Sequence, residues 1–170
     1  MKNIILTGYM GSGKTTIGKK LAKLTGYMFM DTDELIEQQQ GRTISEIFAA
    51  DGEEAFREME TKLLEQMLEE KKERLVISTG GGMPLREENR TLLAGLGVVF
   101  YLKLEPETVY NRIKDDTKRP LLQCDNPLAR IKEMLAVRGP VYESAAQHII
   151  QVDGIKQNEI AEQIIMLYMK

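Results

Sequence analysis

Residues 8–16 read Gly-Tyr-Met-Gly-Ser-Gly-Lys-Thr-Thr and fit the pattern G-x-x-x-x-G-K-[ST], with Gly8, Gly13, Lys14 and Thr15 at its fixed positions. A loop of this composition binds anions. Its glycines let the backbone curl until several N–H groups point at one phosphate. A helix starting near Lys14 adds its positive end at the same place. Lys14 supplies a mobile point charge, and the Thr15 hydroxyl is a suitable ligand for Mg²⁺. The alternative is a chance glycine-rich turn. The flanks weigh against it: an apolar run, Ile4-Ile5-Leu6, precedes the loop, and Ile17, Leu21 and Leu24 follow it at helical spacing.

Other residues could serve a phosphoryl transfer, each with a plainer reading beside it. Asp31 and Asp33 flank Thr32 at the end of an expected strand. One could approach a metal while the other meets a hydroxyl; equally, Asp33 could cap a helix beginning at Glu34. Arg57 lies one residue off the stripe Phe56, Met59, Leu63, at the edge of a buried face. A surface pair with Glu54 or Glu60 would explain it, but a functional arginine would use such a glutamate too. Gly80-Gly81-Gly82 follows the run Val76-Ile77-Ser78-Thr79. Glycines there permit either close backbone approach to a ligand or a flexible turn, and the strand-end position favours the ligand. This strand has no terminal aspartate, which leaves Asp31 as the acidic partner for a metal.

Arg112, Lys118 and Arg119 sit on or before an irregular stretch, and Arg119-Pro120-Leu121-Leu122 suits a hinged arm carrying a guanidinium to a transferring phosphoryl. An exposed basic loop is the plainer alternative. Arg138 precedes Gly139-Pro140, where a helix-end cation is the simple reading. His148 is the one histidine and has no triad partners in view. Cys124 has no metal-ligand spacing around it. The ten methionines are expected as core filler.

These residues need a scaffold that brings strand ends together. Apolar runs alternate with helical periodicities, the pattern of an α/β parallel sheet covered by helices. Strands are expected near 3–7, 27–31, 74–78, 97–103 and 148–152. Helices are expected over 14–25, 32–40, 43–50, 52–72, 86–95, 106–115, 127–146 and 156–169. Gln38-Gln39-Gln40 should end a helix at Gly41, and the charge run Glu69–Arg74 should be a solvated helix end. Two stretches break the alternation. Residues 32–72 place about 40 residues of helix between two strands, more than a simple crossover needs. Residues 115–126 are polar and poorly periodic. Insertions after strands are where ligands of open parallel sheets bind. We therefore expect one domain over 1–170, with a substrate-binding subdomain about 32–60 and a mobile lid about 115–126.

Bulk properties agree. The chain has 170 residues, 42% hydrophobic and 29% charged, which supports one domain with a sizeable core. A net charge of −3 argues against nucleic acid or an anionic membrane surface as the main partner. A single cysteine allows no intrachain disulfide, and no apolar stretch approaches the roughly 20 residues that span a bilayer. The expectation is a cytoplasmic protein and a monomer.

The combination of segments resembles the shikimate kinase family over essentially the full length. The resemblance is carried by 6–18, by Asp31-Thr32-Asp33, by Phe56-Arg57 with Glu60, and by Ser78-Thr79-Gly80-Gly81-Gly82. Arg119-Pro120-Leu121-Leu122 and Arg138 with Tyr142-Glu143 complete it. It implies a P-loop NTPase fold like that of nucleoside monophosphate kinases, with five parallel strands in order 2-3-1-4-5. The implied activity is ATP-dependent phosphorylation of the 3-hydroxyl of shikimate, a step toward chorismate and the aromatic amino acids. Gly11, Ser12, Gly13, Lys14, Thr15 and Thr16 would hold the nucleotide phosphates; Arg112 and Asp153 would flank adenine. Asp33, Arg57, Gly80, Gly81, Gly82 and Arg138 would hold shikimate, the arginines on its carboxylate and Asp33 on its hydroxyls. Thr15 and Asp31 would hold Mg²⁺. Lys14, Asp33 and Arg119 would be catalytic.

Rival readings make distinct demands. A nucleoside monophosphate kinase needs a pocket for a flat base, which the Arg57/Arg138 pair suits less well than a compact carboxylate. A GTP-binding switch needs a guanine-specifying Asn-Lys-x-Asp run, and the chain has none. A vestigial nucleotide site is at odds with intact Lys14, Thr15, Asp31 and Asp33.

Overall fold

Apolar runs that do not alternate belong in the middle of a sheet, covered on both faces. The computed structural model describes residues 2–116 and 123–170, and its strands follow that rule. In chain order the elements are β1 (Asn3–Thr7), α1 (Lys14–Thr25), β2 (Met28–Asp31), α2 (Thr32–Gln40), α3 (Ile44–Asp51) and α4 (Glu53–Glu69). There follow β3 (Leu75–Ser78), a 3₁₀ turn (Met83–Leu85), α5 (Glu87–Leu96) and β4 (Gly97–Lys103). The chain ends with α6 (Pro106–Ile113), α7 (Pro127–Ala145), β5 (His148–Gln151) and α8 (Gln157–Tyr168).

All strand pairs are parallel, in the order β2-β3-β1-β4-β5. Every residue of β1 and β3 is buried, whereas the edge strands β2 and β5 keep exposed positions such as Met28 and Ile149. Period-two alternation divides β1 between two cores. Ile4 and Leu6 pack with Ile17, Leu21, Phe100 and Ile164; Ile5 packs with Ile36, Phe56, Leu64, Ile77 and Leu93.

Topology puts chemistry at one edge of this sheet. The chain leaves β1, lays β2 and β3 on one side, then crosses to β4 on the other, so β1 stands at the point where the strand order reverses. Leu6 pairs with Ser78, and Asp31 pairs with the same Ser78. The carboxyl ends of β1, β2 and β3 are therefore level, and the three segments that follow them meet side by side.

Element boundaries differ from expectation where local chemistry intervenes. α4 stops at Glu69, because Lys71 adopts φ 52° and the Lys72 N–H turns back to Met67 C=O. The charge run to Arg74 is exposed, as expected, but is a turn rather than a helix end. α7 runs through Gly139-Pro140 to Ala145, within one residue of the expected 127–146, so Arg138 lies inside it and only the helix-end reading of that residue does not hold. Pro140 has no N–H, so α7 omits one hydrogen bond there without ending. α2 does end at Gly41, in a left-handed conformation with φ 65°. The methionines divide: Met67 and Met83 are core, but Met28, Met166 and Met169 are more than 60% exposed. His148 opens β5 and stacks on Phe100 with 5.0 Å between ring centroids.

Candidate active site

The loop after β1 curls as its glycines allow. Gly13, at φ 91°, sits in the left-handed region and hands the chain into α1. Lys14 lies back over the curl, donating to the carbonyls of Gly8 at 2.7 Å and Tyr9 at 3.2 Å. Ser12 is buried beneath it, and its hydroxyl has no hydrogen-bond partner. Arg112, from α6, reaches across to donate to Gly11 C=O at 2.9 Å.

The three residues where β2 passes into α2 divide their work. Asp31 is the N-cap of α2: its Oδ1 accepts from the N–H groups of Asp33 at 2.9 Å and Glu34 at 3.2 Å. The cap is thus Asp31 and not Asp33. Thr32 is buried, and its hydroxyl oxygen accepts from Gly80 N–H at 3.0 Å. Asp33, released from capping, turns toward the glycine run. A side chain on Gly80 would start 2.6 Å from Asp33 Oδ1 and 3.2 Å from Glu60 Oε2. One on Gly82 would start 2.5 Å from the Cζ of Arg57. Gly80 and Gly82 have charged groups directly against them, whereas a side chain at Gly81 would meet nothing nearer than 3.6 Å.

Arg57 is held on its own helix. Its Nη1 donates to Glu60 Oε1 at 2.6 Å and its Nη2 to Glu53 at 3.4 Å, while Glu54 pairs with Arg86 instead. This is not a surface pair: Glu60 is fully buried and the Arg57 side chain is 13% exposed. Glu60 Oε2 and Asp33 Oδ1 are both buried without a hydrogen-bond partner. Burial, helped by neighbouring Asp31, pushes the Asp33 carboxyl up to about 6, against the pull of Lys14 and Arg57. Burial likewise pushes Glu60 up to about 7; Arg57 opposes this and Asp33 adds to it. From α7, Arg138 comes to the other side, with its Nη1 3.6 Å from where a Gly81 side chain would begin.

These groups share one open cleft of about 570 Å³, lined by Gly11, Gly13, Lys14, Thr15, Thr16, Asp31, Asp33, Arg57, Gly80, Gly81, Gly82 and Arg138. One end holds an anion loop, and the other holds two guanidiniums and a buried carboxyl. A family model described as shikimate kinase matches residues 10–168. The chain is 47% identical to the shikimate kinase of Thermodesulfovibrio yellowstonii, over 99% of its own length and 95% of that relative's. It is 43% identical to that of Caldicellulosiruptor bescii, over 99% and 96%. Among solved structures, the shikimate kinase of Acinetobacter baumannii in complex with shikimate superposes with a TM-score of 0.90, at 38% identity, covering 99% of this chain and 93% of that one.

The chain belongs to the shikimate kinase family.

Most residues that the likeness to shikimate kinases picked out converge in the cleft. Three do not line it. Ser12 lies under the loop; Arg112 reaches the loop from behind Gly11. The Asp153 carboxylate accepts from Glu105 N–H at 3.1 Å, at the start of α6. Burial raises the Asp153 pKa, but hydrogen bonds from Thr108, Glu105 and Gln151 outweigh this and hold it below the usual range. Arg119, with half of the expected lid (117–122), lies outside the described residues. Reading the sequence missed Ile44 and Phe48, which with Phe56 give the cleft an apolar side; the Phe48 and Phe56 rings are 5.1 Å apart. Their signal was Ile44 and Phe48 at helical spacing, just ahead of the Phe56-Arg57 motif. It named Thr32 and Tyr142 as carriers of the resemblance but gave them no role, and it did not foresee the buried state of Glu60.

Proposed function

We propose that the cleft seats shikimate beside the terminal phosphate of ATP, and that the residues lining it divide the shikimate kinase reaction between them. That reaction transfers the γ-phosphoryl group of ATP to the 3-hydroxyl of shikimate, giving shikimate 3-phosphate and ADP. It lies on the route to chorismate and the aromatic amino acids. The observation that carries the division of labour is convergence. Arg57, Arg138 and Asp33 meet around Gly80–Gly82, in the same cleft as Lys14 and Thr15.

Planar guanidiniums match a carboxylate in geometry and charge, so Arg57 and Arg138 take the acid group of the substrate. Arg57 is already held by Glu60, which lowers the ordering cost when substrate arrives. Phe48 and Phe56 offer the carbon ring an apolar face. Asp33 takes the reacting hydroxyl. With a pKa of about 6 it is ionised at neutral pH yet basic enough to accept a proton, which suits a general base. Lys14 leaves the carbonyls of Gly8 and Tyr9 for the phosphates and stabilises the charge spread over the transferring group.

A hard-oxygen donor set of Thr15 and Asp31 fits Mg²⁺. One oxygen of Asp31 already receives two backbone N–H groups, which suits contact with the ion through water. Bound there, Mg²⁺ would neutralise phosphate charge. Arg119 adds a cation from the segment 115–126, and Arg112 with Val152–Asp153 flanks the adenine end. We propose a monomer in the cytoplasm as its working state; separately, no described helix is long and apolar enough to cross a membrane.

Coupled ADP detection with ATP and a panel of acceptors tests the whole reading. Shikimate should be phosphorylated, and Arg57→Ala should lose that activity chiefly through the shikimate KM. Turnover with AMP or gluconate but not shikimate would overturn it. Asp33→Asn tests the base; turnover near the parent's would remove that role.

A further inference from the structure

Two hydroxyls grip the glycine wall from opposite sides. Thr32, at the start of α2, accepts from Gly80 N–H at 3.0 Å. Tyr142, near the end of α7, donates to Gly81 C=O at 2.6 Å. Both side chains are fully buried, and neither lines the cleft. They hold neighbouring residues of a run that has no side chains of its own with which to anchor itself.

Each hydroxyl is itself fixed. Thr32 follows the Asp31 cap, so the first turn of α2 sets its place. The Tyr142 ring packs on Tyr101 of β4, with 5.1 Å between centroids. The one Tyr142 hydroxyl proton goes to Gly81, so its lone pairs face outward. Burial pushes the phenol up, and the positive charge of neighbouring Arg138 opposes that push. A side chain at Gly81 would begin 3.6 Å from both the Arg138 Nη1 and the Tyr142 hydroxyl. Arg138 and Tyr142 thus stand side by side against the wall.

We propose that Thr32 and Tyr142 are positioning residues for substrate recognition: their hydroxyls hold the Gly80–Gly81 backbone, beside the Arg138 guanidinium, in the place that seats the ring acid. This rests on the reading that the wall, Arg57 and Arg138 receive shikimate. Triple glycine has more conformational freedom than any other tripeptide. Left unpinned, it would sample positions in which its N–H groups and Arg138 no longer face one carboxylate. The phosphate loop and α1 make neither of these two contacts, so nucleotide binding is spared.

The experiment is steady-state kinetics in both substrates, with thermal melts, on Tyr142→Phe, Thr32→Val and Thr32→Ser. Tyr142→Phe keeps the ring and Thr32→Val keeps the shape. Each should raise the KM for shikimate by about 5- to 30-fold, the scale of one lost buried hydrogen bond. The KM for ATP should stay within about twofold, since no phosphate-loop contact is touched. Thr32→Ser, which retains the acceptor, should recover most of the parent's shikimate KM. Should Thr32→Val not fold, Tyr142→Phe and Thr32→Ser still carry the test. The proposal is overturned if both KM values move together, or if the melting temperature falls while shikimate KM does not change. Arg57→Ala is run alongside. If it too leaves shikimate KM unchanged, the site reading fails; if it raises that KM and Tyr142→Phe does not, only the positioning roles fail.

Discussion

Gly82 and Glu60 face the two sides of one guanidinium, and each makes a separate prediction. A methyl group on Gly82 would lie against Arg57, forcing it off Glu60. Gly82→Ala should therefore raise the shikimate KM by ~10- to 100-fold, the cost of disturbing a charge-assisted contact. ATP affinity, measured by calorimetry, should not change. Equal weakening of both ligands would instead mean that the whole cleft had shifted.

Glu60 carries a pH signature. Its carboxyl sits at about 7 in the folded chain against 4.5 ordinarily, chiefly through burial. A carboxyl that is harder to ionise when folded favours the folded state at low pH. That contribution is full below pH 4.5 and is lost as pH rises through about 7. In Glu60→Gln the loss disappears. One amide orientation keeps an oxygen toward Arg57 and turns the NH₂ toward the unpaired Asp33 oxygen. Melting curves of the ligand-free proteins should show the variant gaining on its parent between pH 4.5 and 7. A constant difference across that range would refute the assignment. The spacing Phe56, Glu60, Leu63, Met67 does put this glutamate, unlike Glu54 or Glu58, on the apolar face of its helix; its nearness to an arginine does not separate it from them.

At the scale of elements, α2 begins on a residue with two possible jobs. Asn caps a helix about as well as Asp, whereas Ala does not. Asp31→Asn should hence keep the melting temperature near that of the parent while reducing Mg²⁺-supported turnover. Asp31→Ala should lose both, with about 1 kcal/mol of stability gone with the cap. If Asp31→Asn retains full activity across a Mg²⁺ titration, Asp31 is a cap and nothing more. Helices and strands were largely legible here, because apolar runs and 3.6-residue periodicity record burial directly. The ends were legible where glycine marks them, as at Gly41. They were not where a lysine takes a left-handed conformation, as at Lys71. The alternatives at Asp31 and Asp33 stayed open for a related reason: residues two apart differ in role according to which backbone N–H groups their rotamers reach. Asp153 gave no such hint, since its partner, the Glu105 N–H, is 48 residues away.

For the whole molecule, the open cleft lies between the sheet edge and α2–α4. Phe48 stands at that side, 36% exposed. Covering it needs motion of α3 and the start of α4 toward the phosphate loop. Hydrogen exchange should slow over 32–60 and 115–126 when shikimate and a non-hydrolysable ATP analogue are both bound. The slowing should exceed the sum of the two single-ligand effects. Unchanged exchange in both segments would leave the cleft rigid and the closing motion refuted.

The level strand ends have a consequence for how this architecture tolerates change. Asp31, Ser78 and Leu6 stand abreast, so donor loop, acceptor wall and acidic turn are measured off the same line. One residue added within β3 would push Gly80–Gly82 outward by ~3.3 Å and turn alternate side chains to the wrong face. Lengthening the loops beyond that line adds reach; lengthening the strands behind it pulls phosphate and hydroxyl out of range. Segment length inside the sheet is in this sense a catalytic dimension, set by residues that never meet either substrate.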